Sequence, residues 1–195
     1  MELVPSVISA GWASGVNAYL TVLVLSLAGR AGWGAIPDEL QTDRVLIAAL
    51  VLTAIEFVTD KVPYLDSAWD AVHTAVRPAI GSVLGLGLAG EADVDGFDEV
   101  LAAGGSGALA LASHGVKAGL RLGINASPEP FSNILASLVE DGMVTGVMLL
   151  AIDHPVPAAA IALVLLVSGL VLVVFLMKRI RRALRGLRRR VGGHP

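Results

Sequence analysis

A charged stretch between two apolar runs restricts the possible folds of this sequence more than any other feature. The stretch is Glu56–Pro78 (EFVTDKVPYLDSAWDAVHTAVRP), and it lies between the apolar runs Val45–Ile55 and Ala79–Ala89. Its ionisable residues are four acids, two bases and a histidine: Glu56, Asp60, Asp66, Asp70, Lys61, Arg77 and His73. Charges among apolar residues are energetically costly, so their presence indicates a structural or functional use. We therefore interpret the rest of the chain as a frame that holds this stretch and a partner in the second half.

The composition is typical of an integral membrane protein. Only 16% of the 195 residues are charged, whereas soluble domains have roughly 25%. There is no cysteine, which excludes disulfides, thiolate metal sites and a cysteine nucleophile. Charge is segregated, because eight of the fourteen bases lie in Lys178–Arg190 and five acids lie in Glu91–Glu99. The N-terminal residues lack the basic region of a cleavable signal peptide, so we expect the first apolar run to remain as a span.

The apolar segments predict an all-α integral membrane bundle of about six transmembrane helices. The predicted spans are Val4–Ala28, Arg44–Thr59, Ala79–Ala89, Val100–Ile124, Phe131–Ile152 and Ala158–Met177. They form one predicted domain, residues 1–177, and a basic tail follows at 178–195. An excess of Lys and Arg marks the cytoplasmic side, so the tail is predicted to be cytoplasmic. Six spans would return the N-terminus to the same side.

A short amphipathic or re-entrant helix is predicted between the second and third spans, over Asp66–Arg77. Ser67 and Asp70 form a capping box, which is typical of a helix start. Asp66, Asp70, His73 and Arg77 are spaced +4, +3 and +4, so they share one helix face. That pattern is typical of a helix in the membrane interface or between spans.

Two similar segments indicate an internal repeat. Ser14–Leu20 (SGVNAYL) and His114–Leu120 (HGVKAGL) agree at four of seven positions. Both also carry polar residues at the same +3, +4 spacing: Ser14, Asn17 and Thr21, and His114, Lys117 and Arg121. Two repeats of three spans each, about 4–90 and 100–177, would enter from opposite sides and be inverted, as in many transporters. The alternative is chance similarity between two helices rich in small residues.

Three stretches resemble a family of small bacterial multi-pass membrane proteins known only as a domain of unknown function. They are SGVNAYLT (Ser14–Thr21), Glu56–Pro78, and SHGVKAGLRLGINASPEPFSN (Ser113–Asn133). The resemblance extends over much of residues 1–150 and excludes the basic tail. It implies a multi-pass membrane fold and gives no mechanism. A high ratio of Arg to Lys is typical of a GC-rich bacterium, so we expect a bacterial inner membrane.

Four charges inside the predicted spans form the first candidate site: Glu56, Lys117, Arg121 and Glu140. A charge at the bilayer centre costs about 2.5 kcal/mol or more unless it is paired or hydrated, so we expect these groups to face inward and meet. They would bind an anion, a proton or a zwitterionic headgroup, with Lys117 and Arg121 binding and Glu56 or Glu140 titrating. The alternative is a set of ion pairs that fixes helix packing.

Two further sites have structural alternatives. Asp66, Asp70 and His73 have oxygen and nitrogen atoms suited to a divalent metal, but a solvated face whose acids pair with His73 and Arg77 is the preferred interpretation. The break Asn125–Asn133 would expose helix N–H groups to an anion, or it is an ordinary proline-rich loop. The candidate ligand-binding residues are Asn17, Glu56, Asp60, Lys61, Asp66, Asp70, His73, Arg77, His114, Lys117, Arg121, Asn125, Ser127 and Glu140.

The leading hypothesis is a small inverted-repeat transporter or channel-like protein for a small anionic or amphiphilic solute. One alternative is an intramembrane enzyme on a lipid phosphate, because Lys61 and Arg77-Pro78 resemble part of the lipid phosphatase motif, although its serine and histidine motifs are missing. The other is a non-catalytic membrane scaffold. No catalytic residue, cofactor or metal is predicted. Anionic lipid is the expected partner of the basic tail, nucleic acid is not expected, and glycine spacings such as Gly142/Gly146 are compatible with self-association.

Overall fold

The computed structural model describes residues 2–125 and 131–191, which are almost entirely helical. No strand occurs in these two ranges, so the predicted all-α class is confirmed. A short 3₁₀ helix, Asp38–Gln41, precedes α3. The α-helices are α1 Leu3–Val16, α2 Ala18–Arg30, α3 Asp43–Thr59, α4 Pro63–Glu91, α5 Gly96–Ile124, α6 Phe131–Asp153 and α7 Pro155–Val191.

Three helical stretches are long and apolar enough to cross a membrane: Leu65–Glu91 in α4, Phe131–Asp153 in α6 and Pro155–Arg182 in α7. Large apolar side chains point outward from the bundle, such as Val72 and Val164, which are 63% and 67% exposed. Charged side chains lie inside instead. Apolar residues outside and charges inside are expected of a protein whose surroundings are lipid.

The first predicted span, Val4–Ala28, is wrong as a single crossing. It is divided at Asn17 into α1 and α2, and Ser6 and Leu25 line the same cavity. A straight helix would separate Ser6 and Leu25 by about 28 Å, because each residue adds about 1.5 Å. The chain therefore doubles back, and α1 and α2 form a helical hairpin, which we call the hairpin, with its tip at Asn17.

The hairpin turns at Asn17 because this residue ends one helix and caps the next. Its backbone is extended, with φ −148° and ψ 98°. The Asn17 N–H donates to the carbonyl of Ala13 and closes α1, while the side-chain oxygen accepts from the Leu20 N–H at 3.0 Å. Asparagine is among the best N-cap residues. An asparagine within an apolar run is thus the sequence signal for this turn.

The predicted interfacial helix Asp66–Arg77 and the predicted third span are one helix, α4, which begins at Pro63 and continues through Pro78. Proline removes one helix hydrogen bond, and such helices are tolerated where neighbouring groups satisfy the backbone. The polar face of Asp66–Arg77 is buried in the bundle, and its apolar face, with Val72, is exposed. Of the two predicted placements, the structure therefore agrees with a position between the helices of the bundle and not with one in the interface.

One end of the bundle is acidic, and we call it the acidic end. A cavity there is lined by Glu2, Gly34, Leu88 and Asp153, so the start of α1, the α2–α3 connection, the end of α4 and the α6–α7 turn meet. The helix ends and connections at this end carry ten acids and two bases: Glu2, Asp38, Glu39, Asp43, Glu91, Asp93, Asp95, Asp98, Glu99 and Asp153, with Arg30 and Arg44.

The opposite end is the basic end. The carbonyl of Asp60 accepts hydrogen bonds there from Arg121 and Asn133, which joins the α3–α4 turn to the end of α5 and the start of α6. The helix α7, which ends in the basic tail, runs parallel to α5, since Gly119 meets Val173. The hairpin enters and leaves at the acidic end. The N-terminus and the basic tail therefore lie at opposite ends, contrary to the prediction that both face one side.

The helices in which the two aligned segments begin, α1 and α5, run in the same direction, whereas Ala18–Leu20 of the first segment lies beyond the turn at Asn17. Gly11 of α1 packs on Ser106 of α5, and Gly15 packs on Ala110. Both residue numbers increase together, so α1 and α5 are parallel, whereas an inverted repeat would make them antiparallel. The predicted six-span inverted arrangement is not observed, because the hairpin takes the place of one crossing.

Several glycines allow helices to approach each other closely. A Cβ at Gly15 would overlap the Ala110 carbonyl, and a Cβ at Gly85 would overlap that of Ala102. These close contacts bring α1 and α4 against α5 and position the polar faces of all three helices toward one another. Gly142 and Gly146 meet nothing within 4 Å, and self-association through them stays a prediction.

Candidate functional site

In the described part of the chain, ten ionisable side chains are buried together inside the bundle, and we call them the charge network. Each is at most 9% exposed. They come from α3 and its C-cap, α4, α5 and α6: Glu56, Asp60, Asp66, Asp70, His73, Arg77, His114, Lys117, Arg121 and Glu140. The structure thus brings together the charges of Glu56–Pro78 and those of the second half.

Arg77 joins the network to the hairpin. Its Nη2 lies 2.7 Å from Glu56 Oε1 and 3.4 Å from Asp70 Oδ1, and its side chain is fully buried. Its Nη1 donates to the carbonyl of Gly15 at 3.2 Å, in the last turn of α1. A cation is favourable at a helix C-terminus. Arg77 therefore links the end of α1 to the carboxylates of Glu56 and Asp70.

Lys117 lies at the centre of the network and contacts three carboxylates. Its Nζ is 2.7 Å from Asp60 Oδ2 and 3.6 Å from both Glu56 Oε1 and Glu140 Oε2. Glu56 and Asp60 belong to α3 and its C-cap and Glu140 belongs to α6, and Arg121 also contacts Asp60 and Glu140, at 3.6 Å and 2.6 Å. Lys117 consequently ties α3 and α6 to α5 by one ammonium group.

Arg121 forms the strongest pair, a two-point contact with Glu140. Its Nη2 is 2.6 Å from Glu140 Oε2 and its Nε is 3.2 Å from Oε1. Such paired contacts between guanidinium and carboxylate are short and directional. Its Nη1 also donates to the side-chain oxygen of Asn133 at 2.6 Å and lies 3.7 Å from Asp66 Oδ1.

Arg77 fixes the protonation of His114. The distance from Arg77 Nη1 to His114 Nδ1 is 2.7 Å. A guanidinium can only donate, so Nδ1 of His114 accepts and carries no proton. The proton is then on Nε2, which lies 3.1 Å from both the Asp70 carbonyl and Thr74 Oγ1. His114 is thus neutral, with one defined tautomer.

His73 has the opposite tautomer and contacts the hairpin. Its Nδ1 is 2.7 Å from the carbonyl of Trp69 and must donate to it, so Nε2 accepts from the Tyr19 hydroxyl at 2.8 Å. The Trp69 ring stacks on the imidazole with centroids 4.5 Å apart. Tyr19 is in α2, and its hydrogen bond links the hairpin to α4.

The hairpin tip contacts α6. The side-chain N–H of Asn17 donates to Asp141 Oδ1 at 2.9 Å. Asp141, Tyr19 and Asn133 were not among the predicted site residues. The spacing of Asn133, Ser137 and Glu140 on one helix face was a usable signal for Asn133, whereas nothing local to Tyr19 distinguishes it.

Two predicted site residues, Lys61 and Asn125, lie at the basic end. Lys61 donates to the carbonyl of Phe57 at 2.7 Å, its Nζ is 3.4 Å from Ser137 Oγ, and desolvation lowers the pKa of its ammonium. Asn125 donates to Asp66 Oδ2 at 2.6 Å. Ser127 lies outside the described residues, as does most of the predicted anion site around it.

Asp66, Asp70 and His73 point to different partners. Asp66 faces Arg121 and Asn125, Asp70 faces Arg77, and His73 faces Tyr19 and Trp69. Within residues 2–125 and 131–191, no group of three or more His, Asp or Glu side chains could hold a metal ion. Their face is buried and not solvated, so the preferred interpretation of a solvated face was wrong.

Carboxylates outnumber bases in the charge network. Five acids face three bases, an excess of two negative charges if every acid is ionised and both histidines are neutral. Glu56 Oε2 and Asp60 Oδ1 have no hydrogen-bond partner among the described residues. An uncompensated charge in apolar surroundings is costly. The network therefore favours the uptake of a proton or a cation over that of an anion.

Two cavities border the network from the sides of the bundle. One, of about 240 Å³ between α1, α5, α6 and α7, has mostly apolar walls but includes Lys117 and Glu140. The other, of about 190 Å³ between α4 and α5, includes Asp70 and Arg121. Four members of the network therefore border a cavity directly, two on each side.

The family described as Domain of unknown function (DUF4126) matches residues 4–175, which is most of the chain and includes the hairpin and the whole charge network. The chain belongs to this family. Neither a curated protein nor a solved structure matches it. Membership in DUF4126 agrees with the resemblance carried by Ser14–Thr21, Glu56–Pro78 and Ser113–Asn133.

Proposed function

We propose that this DUF4126 protein is a small multi-pass membrane transporter or channel-like protein that moves a proton or small cation through the charge network. One observation carries the proposal: ten ionisable side chains are buried together inside the bundle, with more acids than bases. Ionisable residues within a membrane are usually functional. Pairs that only fixed the packing would be expected to balance, and these do not.

Apart from Arg77 Nε, which has no partner among the described residues, the bases of the network have little capacity left for an anion. The guanidinium of Arg121 is already bound to Glu140 at 2.6 Å, and that of Arg77 to Glu56 at 2.7 Å. An anion would have to displace a buried carboxylate from each. A proton that enters instead reduces the excess negative charge, so the sequence-based expectation of an anionic solute is revised to a proton or cation.

The hairpin gives the proposed pathway a gate. Non-helical backbone at membrane depth is tolerated where it is buried in protein or lines a water-filled cavity, and interrupted helices are common at transport sites. Asn17 at the tip contacts Asp141, and Tyr19 contacts His73. A movement of the hairpin would break these two contacts and open the network toward the acidic end.

The proposed location is a bacterial inner membrane with the basic tail in the cytoplasm, where Lys and Arg are in excess. The helices α3 to α7 would then cross the membrane, and the acidic end would face outward. The tail, from Lys178 onward, would bind anionic lipid headgroups at roughly 1 kcal/mol for each base near the surface.

Proton flux into vesicles tests the proposal. The purified chain is reconstituted with a trapped pH-sensitive dye, and a proton gradient is imposed. Glu56→Gln keeps the shape of the side chain and removes its charge, so we expect flux to fall at least tenfold. Glu91→Gln makes the same change at an exposed position at the acidic end and is expected to keep the flux. Equal flux in both variants, with each eluting as a folded protein on size exclusion, would reject the proposal.

A second candidate function is the movement of an amphiphile. The cavity between α1, α5, α6 and α7 combines apolar walls with Lys117 and Glu140, so it would accept a short apolar tail beside a polar headgroup. Ser168→Phe would obstruct this cavity, since Ser168 lines it. Loss of lipid movement between leaflets in that variant, with proton flux retained, would favour this candidate.

The other two hypotheses have less support. An enzyme acting on a lipid phosphate would need a free base, yet Arg77 is fully buried and paired with Glu56 and Asp70. A scaffold would be favoured if Glu56→Gln left every transport assay unchanged.

A further inference from the structure

A separate cavity opens at the acidic end, away from the charge network. Its volume is about 500 Å³, within the range of sites for small organic ligands. The hairpin, the α2–α3 connection, the end of α4 and the α6–α7 turn surround it. Gly34, with φ +72°, lets the α2–α3 connection close over Ile152 of α6.

The lining of this cavity combines an apolar floor with acids. Ala10, Leu25, Ile36, Leu88 and Met148 provide apolar surface, and each is at most 7% exposed. The ionisable side chains that line it are Glu2 and Asp153, and no base lines it among the described residues. A ligand with an apolar body and a positive charge would find favourable contacts for both parts there.

The protein surface around the cavity is negatively charged, as the cavity lining is. Ten acids and two bases lie at this end, and one of the two bases, Arg30, is paired with Asp43 at 2.7 Å. A cleft surrounded by one sign of charge concentrates ions of the opposite sign. Hard metal ions need about six oxygen ligands, whereas the side-chain oxygens that line this cavity are those of Glu2, Asp153 and Ser6. The charge excludes anions, and the apolar walls disfavour small inorganic cations.

We infer that the cavity at the acidic end binds a small organic cation with an apolar body, such as an aryl or alkyl ammonium or phosphonium. The inference rests on the proposed transport function in one respect, since it names the solute class that would move with or against protons. The binding itself requires no transport and can be measured separately.

Equilibrium dialysis of the full chain in detergent with radiolabelled tetraphenylphosphonium tests the inference. We expect saturable binding with one ligand for each chain. Tetraphenylborate, which has the same shape and the opposite charge, is not expected to compete. Exposed ion pairs contribute up to about 1 kcal/mol each, so Glu2→Gln/Asp153→Asn should weaken binding about tenfold.

A matched control removes the same charges away from the cavity. Glu91→Gln/Asp95→Asn lowers the charge of the acidic end by the same amount, and we expect binding to change less than twofold. Ser6→Phe fills the cavity and should abolish binding of tetraphenylphosphonium. Non-saturable binding, competition by the borate, or equal losses in the two double variants would overturn the inference. Proton flux that depends on Glu56, with no saturable binding, would leave the proposed function standing and reject only this site.

Discussion

Arg77 Nη1 lies 2.7 Å from His114 Nδ1. Because a guanidinium N–H can only donate, Nδ1 must accept and carries no proton, which leaves the histidine neutral. Replacing His114 with Leu would leave a buried guanidinium N–H with one acceptor fewer. We expect a loss of about 1–3 kcal/mol in the free energy of unfolding, measured by thermal unfolding in detergent.

A nearby substitution separates this effect from general packing. Thr74→Val removes the hydroxyl that contacts Nε2 of the same imidazole and leaves the contact with Arg77 in place. We expect it to be milder than His114→Leu. If the two variants are equally destabilised, Arg77 is not the reason that a histidine occupies this position.

Lys117→Met should be more damaging than any substitution of a single acid in the network. It removes the ammonium that lies 2.7 Å from Asp60 and 3.6 Å from Glu56 and Glu140. Breaking a buried pair by removing one partner costs about 3–5 kcal/mol. The double variant Lys117→Met/Asp60→Asn should recover part of this loss, since it also removes the carboxylate that lay closest to the lost ammonium group. A double variant that is less stable than Lys117→Met would contradict this account.

Asn17 combines two roles that substitutions can separate. Asn17→Ser keeps an oxygen that can cap α2 and loses the hydrogen bond to Asp141, whereas Asn17→Ala loses both. A cap contributes about 1 kcal/mol, so the alanine variant should be less stable than the serine variant by about that amount. Asn17→Asp keeps the cap but sets two carboxylates together, and Asp141→Asn should restore its stability. Chemical denaturation of all four variants checks the order.

The buried charges could be predicted from the sequence, because a charge within an apolar run has few other places to go. Glu56, Lys117, Arg121 and Glu140 were expected to meet, and the structure brings them together. Their individual partners could not be predicted. Pairing depends on which helices are neighbours, and that is fixed by small residues such as Gly15 and Gly85, whose contacts lie far away in the sequence.

The direction of the repeat could not be read from sequence similarity. The match between Ser14–Leu20 and His114–Leu120 says that two helices have similar faces and says nothing about their orientation. Direction was inferred from a count of spans, and one uncounted turn at Asn17 changes that count by one crossing. A hydropathy pattern does not reveal such a turn, because the two helices of the hairpin together are as apolar as a single span.

Two glycines on different helix faces give a matched pair. Gly15→Ala would push a methyl group into the Ala110 carbonyl, where α1 and α5 are closest, whereas Gly115 has nothing within 4 Å of an added Cβ. We expect Gly15→Ala to destabilise the fold by about 1–3 kcal/mol through overpacking, and Gly115→Ala to be neutral or to stabilise the helix. Thermal unfolding of both variants decides. Equal melting temperatures would mean that the two helices are farther apart than described.

Water access to the charge network separates a transport pathway from a sealed set of ion pairs. The chain has no cysteine, so single cysteines can be placed at Asn17 and Ser137, which are buried beside the network, and at Val167, which is 57% exposed on the lipid-facing surface. A membrane-impermeant maleimide is applied from each side of the membrane.

The proposed function predicts that positions 17 and 137 react, because a pathway hydrates the network as the hairpin moves. Position 167 is not expected to react, because lipid covers it. Val144→Cys, in the apolar core, controls for general opening of the bundle and should also stay unreacted. If neither 17 nor 137 reacts, the excess carboxylates must hold protons permanently, and the network is a structural one.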